Sequence, residues 1–194
     1  MGRYRILDQE GLNFLTCTVV GWIDIFSRKN YRDIILDSLT YCRKEKDLLV
    51  FAYVIMSNHM HLILQTGPSA SYSLSEILRD FKKFTATKIL ETIQVEPESR
   101  REWLMHMFGY YARHNSNNRN FQLWQQDNHP FALSTDKMIW QKVDYIHNNP
   151  VRAGIVDKPE DYIYSSARNY SQNNKDCLME IDLLANWWSD VGKV

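Results

Sequence analysis

The spacing of apolar residues in the first part of the chain predicts a strand followed by a helix. Residues 13–22, NFLTCTVVGW, are rich in β-branched and aromatic side chains and predict a first strand that stops at Gly21. In residues 30–46 apolar side chains recur every three or four positions, which predicts an amphipathic helix with Asn30 as its cap. The apolar period thus changes from that of a strand to that of a helix.

The next segment has the pattern of a β-hairpin followed by a second helix. The apolar runs LLVFAYVIM (48–56) and HMHLILQT (59–66) are separated only by the turn-forming pair Ser-Asn, which predicts two antiparallel strands. Residues 73–93 then carry an apolar stripe at helical spacing, with Ser73 and Glu76 placed as a capping box. Strand, helix, hairpin and helix in this order begin a ferredoxin-like βαββαβ unit.

The second half of the chain predicts the remaining elements. Residues 94–120 are polar and broken, and predict a short helix followed by a surface loop. FQLWQQ, residues 121–126, is the segment expected to supply the closing strand. A helix is then expected from a cap at Ser134 or Thr135 to Pro150, which cannot continue it.

These elements together predict an α+β fold, with a ferredoxin-like βαββαβ core, an antiparallel sheet and a C-terminal helical extension. We expect one domain over residues 1–170, extended by residues 171–194, in which residues 183–188 have a last helical pattern. No stretch approaches 18 consecutive apolar residues and the amino terminus lacks a signal-peptide pattern, so neither a membrane span nor export is expected.

Cysteine usage and net charge narrow the possible functions. Cys17, Cys42 and Cys177 are scattered and form no CxxC pair, which argues against a disulfide framework and a thiolate zinc site and favours a cytoplasmic location. The formal net charge is zero, so no overall basic field indicates a nucleic-acid partner. One local run, residues 79–88, has four basic residues against Asp80 alone. A solvated helix face is the simpler interpretation of such a run.

The two histidines in SNHMHLIL predict a site on one face of the second hairpin strand. Side chains alternate between the faces of a strand, so His59 and His61 share a face while Met60 points to the other. Two imidazoles roughly 7 Å apart along a strand can converge on one divalent cation. The alternative is a pair of half-exposed histidines with ordinary hydrogen bonds.

A second group of polar residues lies in VDYIHNNPVRAGIV, residues 143–156. Tyr145 and Asn149 are four residues apart, which places them on one face of the predicted helix. A tyrosine beside a metal ion can act as a nucleophile on a polarised phosphate, and an amide oxygen one turn later can complete the metal shell. The alternative is that Tyr145 is a packed aromatic residue.

The two segments together resemble one known family. NHMHLIL is similar to the signature of the HUH endonucleases, and DYIHNNPVRAG resembles the tyrosine helix of their single-tyrosine transposases, in particular the REP-associated branch. The resemblance covers roughly residues 12–168 and includes LWQQDNHPFAL before the tyrosine helix and YSSARNY after it.

The resemblance implies a chemistry and a set of partners. It implies that Tyr145 cleaves and rejoins single-stranded DNA at or near hairpins through a 5′-phosphotyrosine link. His59 and His61 would hold Mg²⁺ or Mn²⁺, with Asn149 as the third ligand, and the protein would be a monomer or a homodimer.

Beside such a site, several basic and aromatic residues become candidate DNA contacts. The predicted phosphate contacts are Arg79, Lys82, Lys83, Arg113 and Arg119, and the predicted base-stacking residues are Trp103, Tyr110 and Tyr111. His129 and His147 are candidates for groups that support the metal ligands. Two other functions stay open: a DNA-binding regulator of the same fold without catalysis, and a metal-dependent hydrolase in which the histidine pair activates water.

Overall fold

A four-stranded antiparallel sheet lies at the centre of the structure, a computed structural model that describes residues 6–113, 120–171 and 176–184. Its strands are β1 (Asn13–Thr18), β2 (Leu48–Ile55), β3 (His59–Thr66) and β4 (Phe131–Ala132). They lie in the order β2-β3-β1-β4, and every neighbouring pair is antiparallel. The predicted ferredoxin-like α+β core is therefore confirmed.

The helices pack on this sheet and on one another. Those in the described residues are α1 (Lys29–Lys46), α2 (Leu74–Val95), α3 (Arg101–Arg113), α4 (Asp136–His147), α5 (Asn149–Arg152) and α6 (Ala167–Tyr170). α1 packs against α2 and β2, whereas α4 lies across β2 and β3. The predicted capping box of α2 is present, and the Thr135 side chain caps α4 by accepting a hydrogen bond from the backbone N–H of Met138.

The hairpin of β2 and β3 is the most buried part of the fold. Every side chain from Val50 to Ile55 is inaccessible to solvent, as are those from Leu62 to Leu64. Because both faces of these strands are covered, their sequences are continuous apolar runs, so the predicted hairpin is confirmed. No helix among the described residues has the length and apolarity needed to cross a membrane.

Two predicted boundaries near the amino terminus are wrong. β1 ends at Thr18, because the chain turns into a short 3₁₀ helix, Val20–Trp22, in which Gly21 and Trp22 have positive φ angles. Asn30 is not the cap of α1, which starts at Lys29 with Arg28 in the cap position. The Asn30 side chain instead donates a hydrogen bond to Glu96, at 2.7 Å.

The predicted closing strand is also wrong in position. Residues 121–126 lie beside the chain that follows β1 and form one isolated antiparallel bridge with it, between Trp124 and Val19. No longer strand pairing forms, because the chain turns into the 3₁₀ helix directly after Val19. The fourth strand is the two-residue β4, which pairs with Asn13 and Phe14 at the start of β1.

The tyrosine helix is shorter than predicted. α4 ends at His147, and α5 begins at Asn149 with Pro150 in its first turn. Proline has no N–H to donate to the preceding turn but fits the first turn of a new helix, so the chain breaks and restarts there. Tyr145 and Asn149 consequently belong to two helices.

The segment after α5 covers the outer edge of β2. The backbone N–H of Ile55 donates to Tyr164, Ser166 donates to Tyr53 and Asp182 donates to Val50, each at 2.9 Å. These bonds satisfy backbone groups that an edge strand otherwise exposes. Of the predicted last helix, only residues up to 184 are described, so residues 185–188 lie outside the described part of the chain.

Candidate active site

The histidine pair lies at the beginning of β3, next to the tight turn of the hairpin. His59 and His61 are the first and third residues of this strand, and their ring centroids are 4.8 Å apart. His59 is half-buried, whereas His61 is only 5% exposed. The alternation of side chains along the strand thus brings both imidazoles to the same face, as the spacing in the sequence predicts.

Each imidazole is held by a hydrogen bond at Nδ1. His59 Nδ1 lies 2.6 Å from Oδ1 of Asn58, an acceptor, and His61 Nδ1 lies 2.8 Å from the hydroxyl oxygen of Thr16 on β1. Thr16 is the direct cross-strand partner of His61. A hydrogen bond at Nδ1 fixes the ring and leaves the Nε2 lone pair for a metal ion. Asn58 and Thr16 are therefore supporting residues that sequence reasoning missed.

Burial keeps these two imidazoles neutral. Desolvation lowers the pKa of His59, and it lowers the pKa of His61 to about 3, with smaller contributions from His59 and Lys142. Nε2 of His61 is buried and makes no hydrogen bond to any described residue. A buried polar atom without a partner is uncommon in a folded protein, and a neutral imidazole nitrogen is a good ligand for a divalent cation.

Tyr145 on α4 packs against His61, the second histidine of the pair. Its ring centroid is 5.1 Å from that of His61 and 6.0 Å from that of Phe14, in edge-to-face arrangements. The buried residues Val143 and Ile146 anchor the same part of the helix in the core. Sequence reasoning thus correctly brought together a strand histidine and a tyrosine that are 84 positions apart.

Two cations flank the tyrosine ring. Lys142 Nζ is 5.4 Å from the Tyr145 ring centroid and 4.4 Å from that of Phe14, and the Arg152 guanidinium is 5.5 Å from the tyrosine ring. These groups and Phe131 border an open pocket of 420 Å³. Sequence reasoning missed both cations, although Lys142 precedes the tyrosine by three residues, a spacing that places them on one helix face.

The third metal ligand stays a prediction. Asn149 follows the break between α4 and α5, and its side chain makes no hydrogen bond to either histidine. Within the described residues, no group of three or more His, Cys, Asp or Glu could hold a metal ion. The protein donors brought together here are thus the two imidazoles.

The predicted DNA contacts differ in their surroundings. Arg79 and Lys83 are exposed on α2, where Arg79 also pairs with Asp80, and Arg113 is exposed at the end of α3. Lys82 points inward: its ammonium donates to the backbone oxygen of Gln125 and to Oδ1 of Asn128, both at 2.6 Å. Burial lowers its pKa. Arg119 lies outside the described residues.

The other candidate residues are distributed over the molecule. Trp103 and Tyr110 are exposed on α3, whereas Tyr111 is half-buried. His147 is buried, and its Nε2 lies 2.9 Å from the hydroxyl oxygen of Ser166. It therefore links the tyrosine helix to the C-terminal segment and does not support a metal ligand through that nitrogen.

A ferredoxin-like sheet that carries two neutral histidines under a helical tyrosine is the arrangement expected of a tyrosine transposase. Residues 24–126, more than half of the chain, match the model of the family described as "Transposase IS200 like". The chain belongs to this family of enzymes. The matched residues include the histidine pair, and Tyr145 lies beyond them.

One solved structure agrees with the fold. This chain is similar to the structure of a REP-associated tyrosine transposase bound to a REP hairpin, with a TM-score of 0.62 and 19% identity. The similarity covers 94% of this chain and 93% of that transposase. A protein of Deinococcus radiodurans R1, also described as a transposase, is 16% identical over 76% of this chain and 97% of its own, with a TM-score of 0.43. No curated protein matches the chain in sequence.

Proposed function

We propose that this transposase cleaves and rejoins single-stranded DNA at or near hairpins, in a metal-dependent reaction with Tyr145 as nucleophile. The observation that carries this proposal is the contact of the Tyr145 ring with His61, whose buried Nε2 has no hydrogen-bond partner among the described residues. Packing alone needs neither a buried histidine without a hydrogen bond at Nε2 nor two cations around an edge-on tyrosine.

The histidine pair fits a divalent cation. His59 and His61 would hold Mg²⁺ or Mn²⁺ through Nε2, and Asn149 is the expected third ligand. The bound cation would polarise the scissile phosphate and offset the negative charge of the transition state. Because imidazole suits Mn²⁺ better than the harder Mg²⁺, we expect stronger activity with Mn²⁺ in vitro.

The proposed chemical step transfers a phosphoryl group to the tyrosine. The phenolic oxygen of Tyr145 attacks the phosphorus atom, and the bond from phosphorus to the 3′ oxygen breaks. The phenol loses its proton to solvent and the 3′ oxygen takes one up, which yields a 5′-phosphotyrosine and a free 3′-hydroxyl. A 3′-hydroxyl of another strand can then reverse the attack, so joining needs no nucleotide cofactor.

The cations near the tyrosine would hold the DNA backbone. Lys142 and Arg152 lie within 5.5 Å of the Tyr145 ring centroid and suit the scissile phosphate or its neighbour. Arg79, Lys83, Arg113 and Arg119 are the proposed contacts to more distant phosphates. The REP hairpin bound by the similarly folded transposase supports a hairpin substrate here.

The test is a covalent-adduct assay with end-labelled single-stranded oligonucleotides from the hairpin-containing flanks of the gene. Wild-type protein and Tyr145→Phe are incubated with and without Mn²⁺, and the products are run on denaturing protein gels. Tyr41→Phe, which alters an exposed tyrosine on α1, is the matched control.

We expect a metal-dependent adduct in the wild type and in Tyr41→Phe, and none in Tyr145→Phe. Free cleaved ends in all three proteins would instead indicate a hydrolase that uses water. Hairpin binding without cleavage in either metal would indicate a DNA-binding regulator.

A further inference from the structure

An exposed tryptophan lies next to the histidine pair, and no predicted function uses it. The Trp22 side chain is 62% exposed, although its ring centroid is only 6.2 Å from that of His59, with the two rings at 70°. The contact is edge-to-face, so it leaves much of the indole surface open to solvent. Trp22 is not part of the hydrophobic core.

The backbone holds this tryptophan in an unfavourable conformation. Trp22 has a φ of 56° and follows Gly21 with a φ of 60°, so two consecutive residues are left-handed. This region disfavours a residue as bulky as tryptophan. Glycine suits position 21, because its φ is one that other residues rarely adopt and a Cβ atom would lie 2.5 Å from the hydroxyl oxygen of Tyr111 unless that ring moved.

The strained turn is fixed to the hairpin that carries the histidines. Asn58 donates from its side-chain amide to the carbonyl oxygen of Trp22, at 3.3 Å, while its Oδ1 contacts Nδ1 of His59. The backbone N–H of Val19 also donates to the carbonyl oxygen of Asn58, at 2.9 Å. One asparagine thus fixes both the first histidine and the tryptophan.

Each ring from Trp22 to Tyr145 lies next to the following one. Successive centroids from Trp22 to His59, His61 and Tyr145 are 6.2, 4.8 and 5.1 Å apart. Trp22 thus borders the histidine pair at His59, whereas Tyr145 borders it at His61, so a nucleotide next to a phosphate held at the histidines would be within reach of Trp22. Backbone strain that is retained beside a reactive site is commonly part of that site's function.

We propose that Trp22 is a stacking platform for an unpaired base next to the phosphate bound at the histidine pair. The proposal rests on single-stranded DNA being the substrate, as proposed above. Every base has an aromatic face, so stacking on the indole secures the strand without reading its sequence. A base inside a duplex already stacks on both neighbours, so Trp22 favours an unpaired nucleotide beside the cleavage position.

The test measures binding in the Tyr145→Phe background, which lacks the proposed nucleophile. Affinity for the hairpin oligonucleotide is measured for three proteins: the one with Trp22 intact, Trp22→Phe and Trp22→Leu. The measurement is then repeated with a series of oligonucleotides, each of which has a single abasic site at a different position. Leucine and phenylalanine share the backbone strain of tryptophan, but only phenylalanine can stack. Tyr41→Leu, at an exposed aromatic residue on α1 with no proposed DNA contact, is the control.

We expect Trp22→Leu to weaken binding about 5- to 150-fold, the range that corresponds to the free energy of stacking one base. Trp22→Phe should retain most of the affinity, and one abasic position should abolish the difference in affinity between the protein with Trp22 intact and the Trp22→Leu variant. Trp22→Asn should also bind weakly while melting at no lower a temperature than the protein with Trp22 intact, because asparagine tolerates a left-handed backbone.

Two results would overturn the proposal. One is equal affinity of the Trp22→Leu variant and the protein with Trp22 intact, and the other is a loss of affinity on Trp22→Leu substitution that is the same for every abasic oligonucleotide. A lower melting temperature for Trp22→Asn would also overturn it, since the ring would then serve folding. An absent adduct together with one position-specific abasic effect would refute the cleavage proposal but leave stacking supported.

Discussion

Replacing Lys82 with methionine distinguishes a structural lysine from a DNA contact. The Lys82 ammonium donates two hydrogen bonds of 2.6 Å, to the backbone oxygen of Gln125 and to Oδ1 of Asn128. Asn128 in turn accepts a hydrogen bond from the backbone N–H of Thr16. Lys82 therefore ties the segment that leads into β4 to α2, while the backbone of Asn128 ties the same segment to β1. Lys83, the next residue, is exposed and provides a matched comparison.

The magnitude follows from these two bonds. A hydrogen bond to a charged group contributes about 1.5–3 kcal/mol, and methionine recovers part of this because it buries no charge. We therefore expect Lys82→Met to lower the free energy of unfolding by roughly 2–4 kcal/mol. In a chain of this size, 1 kcal/mol shifts the melting temperature by about 2–4 °C. Lys83→Met should change stability by less than about 0.5 kcal/mol.

Urea unfolding and salt-dependent DNA binding are measured on both variants. Lys83→Met should weaken binding to the hairpin oligonucleotide. It should also reduce the slope of log affinity against log salt concentration by the amount expected for about one phosphate contact. Unchanged stability in Lys82→Met would refute the assignment of its ammonium to internal hydrogen bonds. If that variant also lost one phosphate contact, the original prediction of Lys82 as a DNA contact would be restored.

Three further predictions concern the site and the helix that carries Tyr145. Thr16→Val removes the hydroxyl that holds His61 and should weaken Mn²⁺ binding about 10- to 100-fold in calorimetric titrations, whereas equal affinity would contradict the role of that bond. Lys142→Met removes a cation beside the tyrosine ring and should slow adduct formation roughly tenfold or more. Lys137→Met, the control, should form the adduct at the wild-type rate, and equal rates in Lys142→Met and the wild type would exclude a phosphate contact by Lys142. Burial lowers the pKa of His147 to about 4, so between pH 6.5 and 4 the unfolded chain binds a proton that the folded chain does not, and stability falls on acidification. Between pH 7 and pH 4.5, the free energy of unfolding measured in urea titrations should therefore fall by about 2–3 kcal/mol less in His147→Gln than in the wild type. An identical fall in both proteins would show that His147 is not the cause.

Local sequence signals predicted the elements whose geometry they determine directly. The apolar runs either side of Ser57 and Asn58 defined the hairpin, and residue alternation along β3 placed both histidines on one face. The capping box at Ser73 and Glu76 defined the start of α2. In each case the determining groups lie within a few residues of one another.

The features that were missed depend on contacts between distant segments. Residues 121–126 are apolar enough for a strand, but the left-handed turn at Gly21 and Trp22 removes their partner. Lys82 looks like its neighbour Lys83 in sequence and differs only because residues 125–128 pack beside it. The bond from Thr16 to His61 spans 45 positions. Such contacts exist only after the chain has folded.

The most direct test of the central claim is to locate the DNA link within the protein. The adduct formed with Mn²⁺ is digested with nuclease and then with protease, and the modified peptide is sequenced by mass spectrometry. We predict one phosphotyrosine, at Tyr145, linked to the 5′ end of the released strand, with a free 3′-hydroxyl on the other fragment. A link to another residue, or 5′-phosphate ends with no modified peptide, would contradict the account.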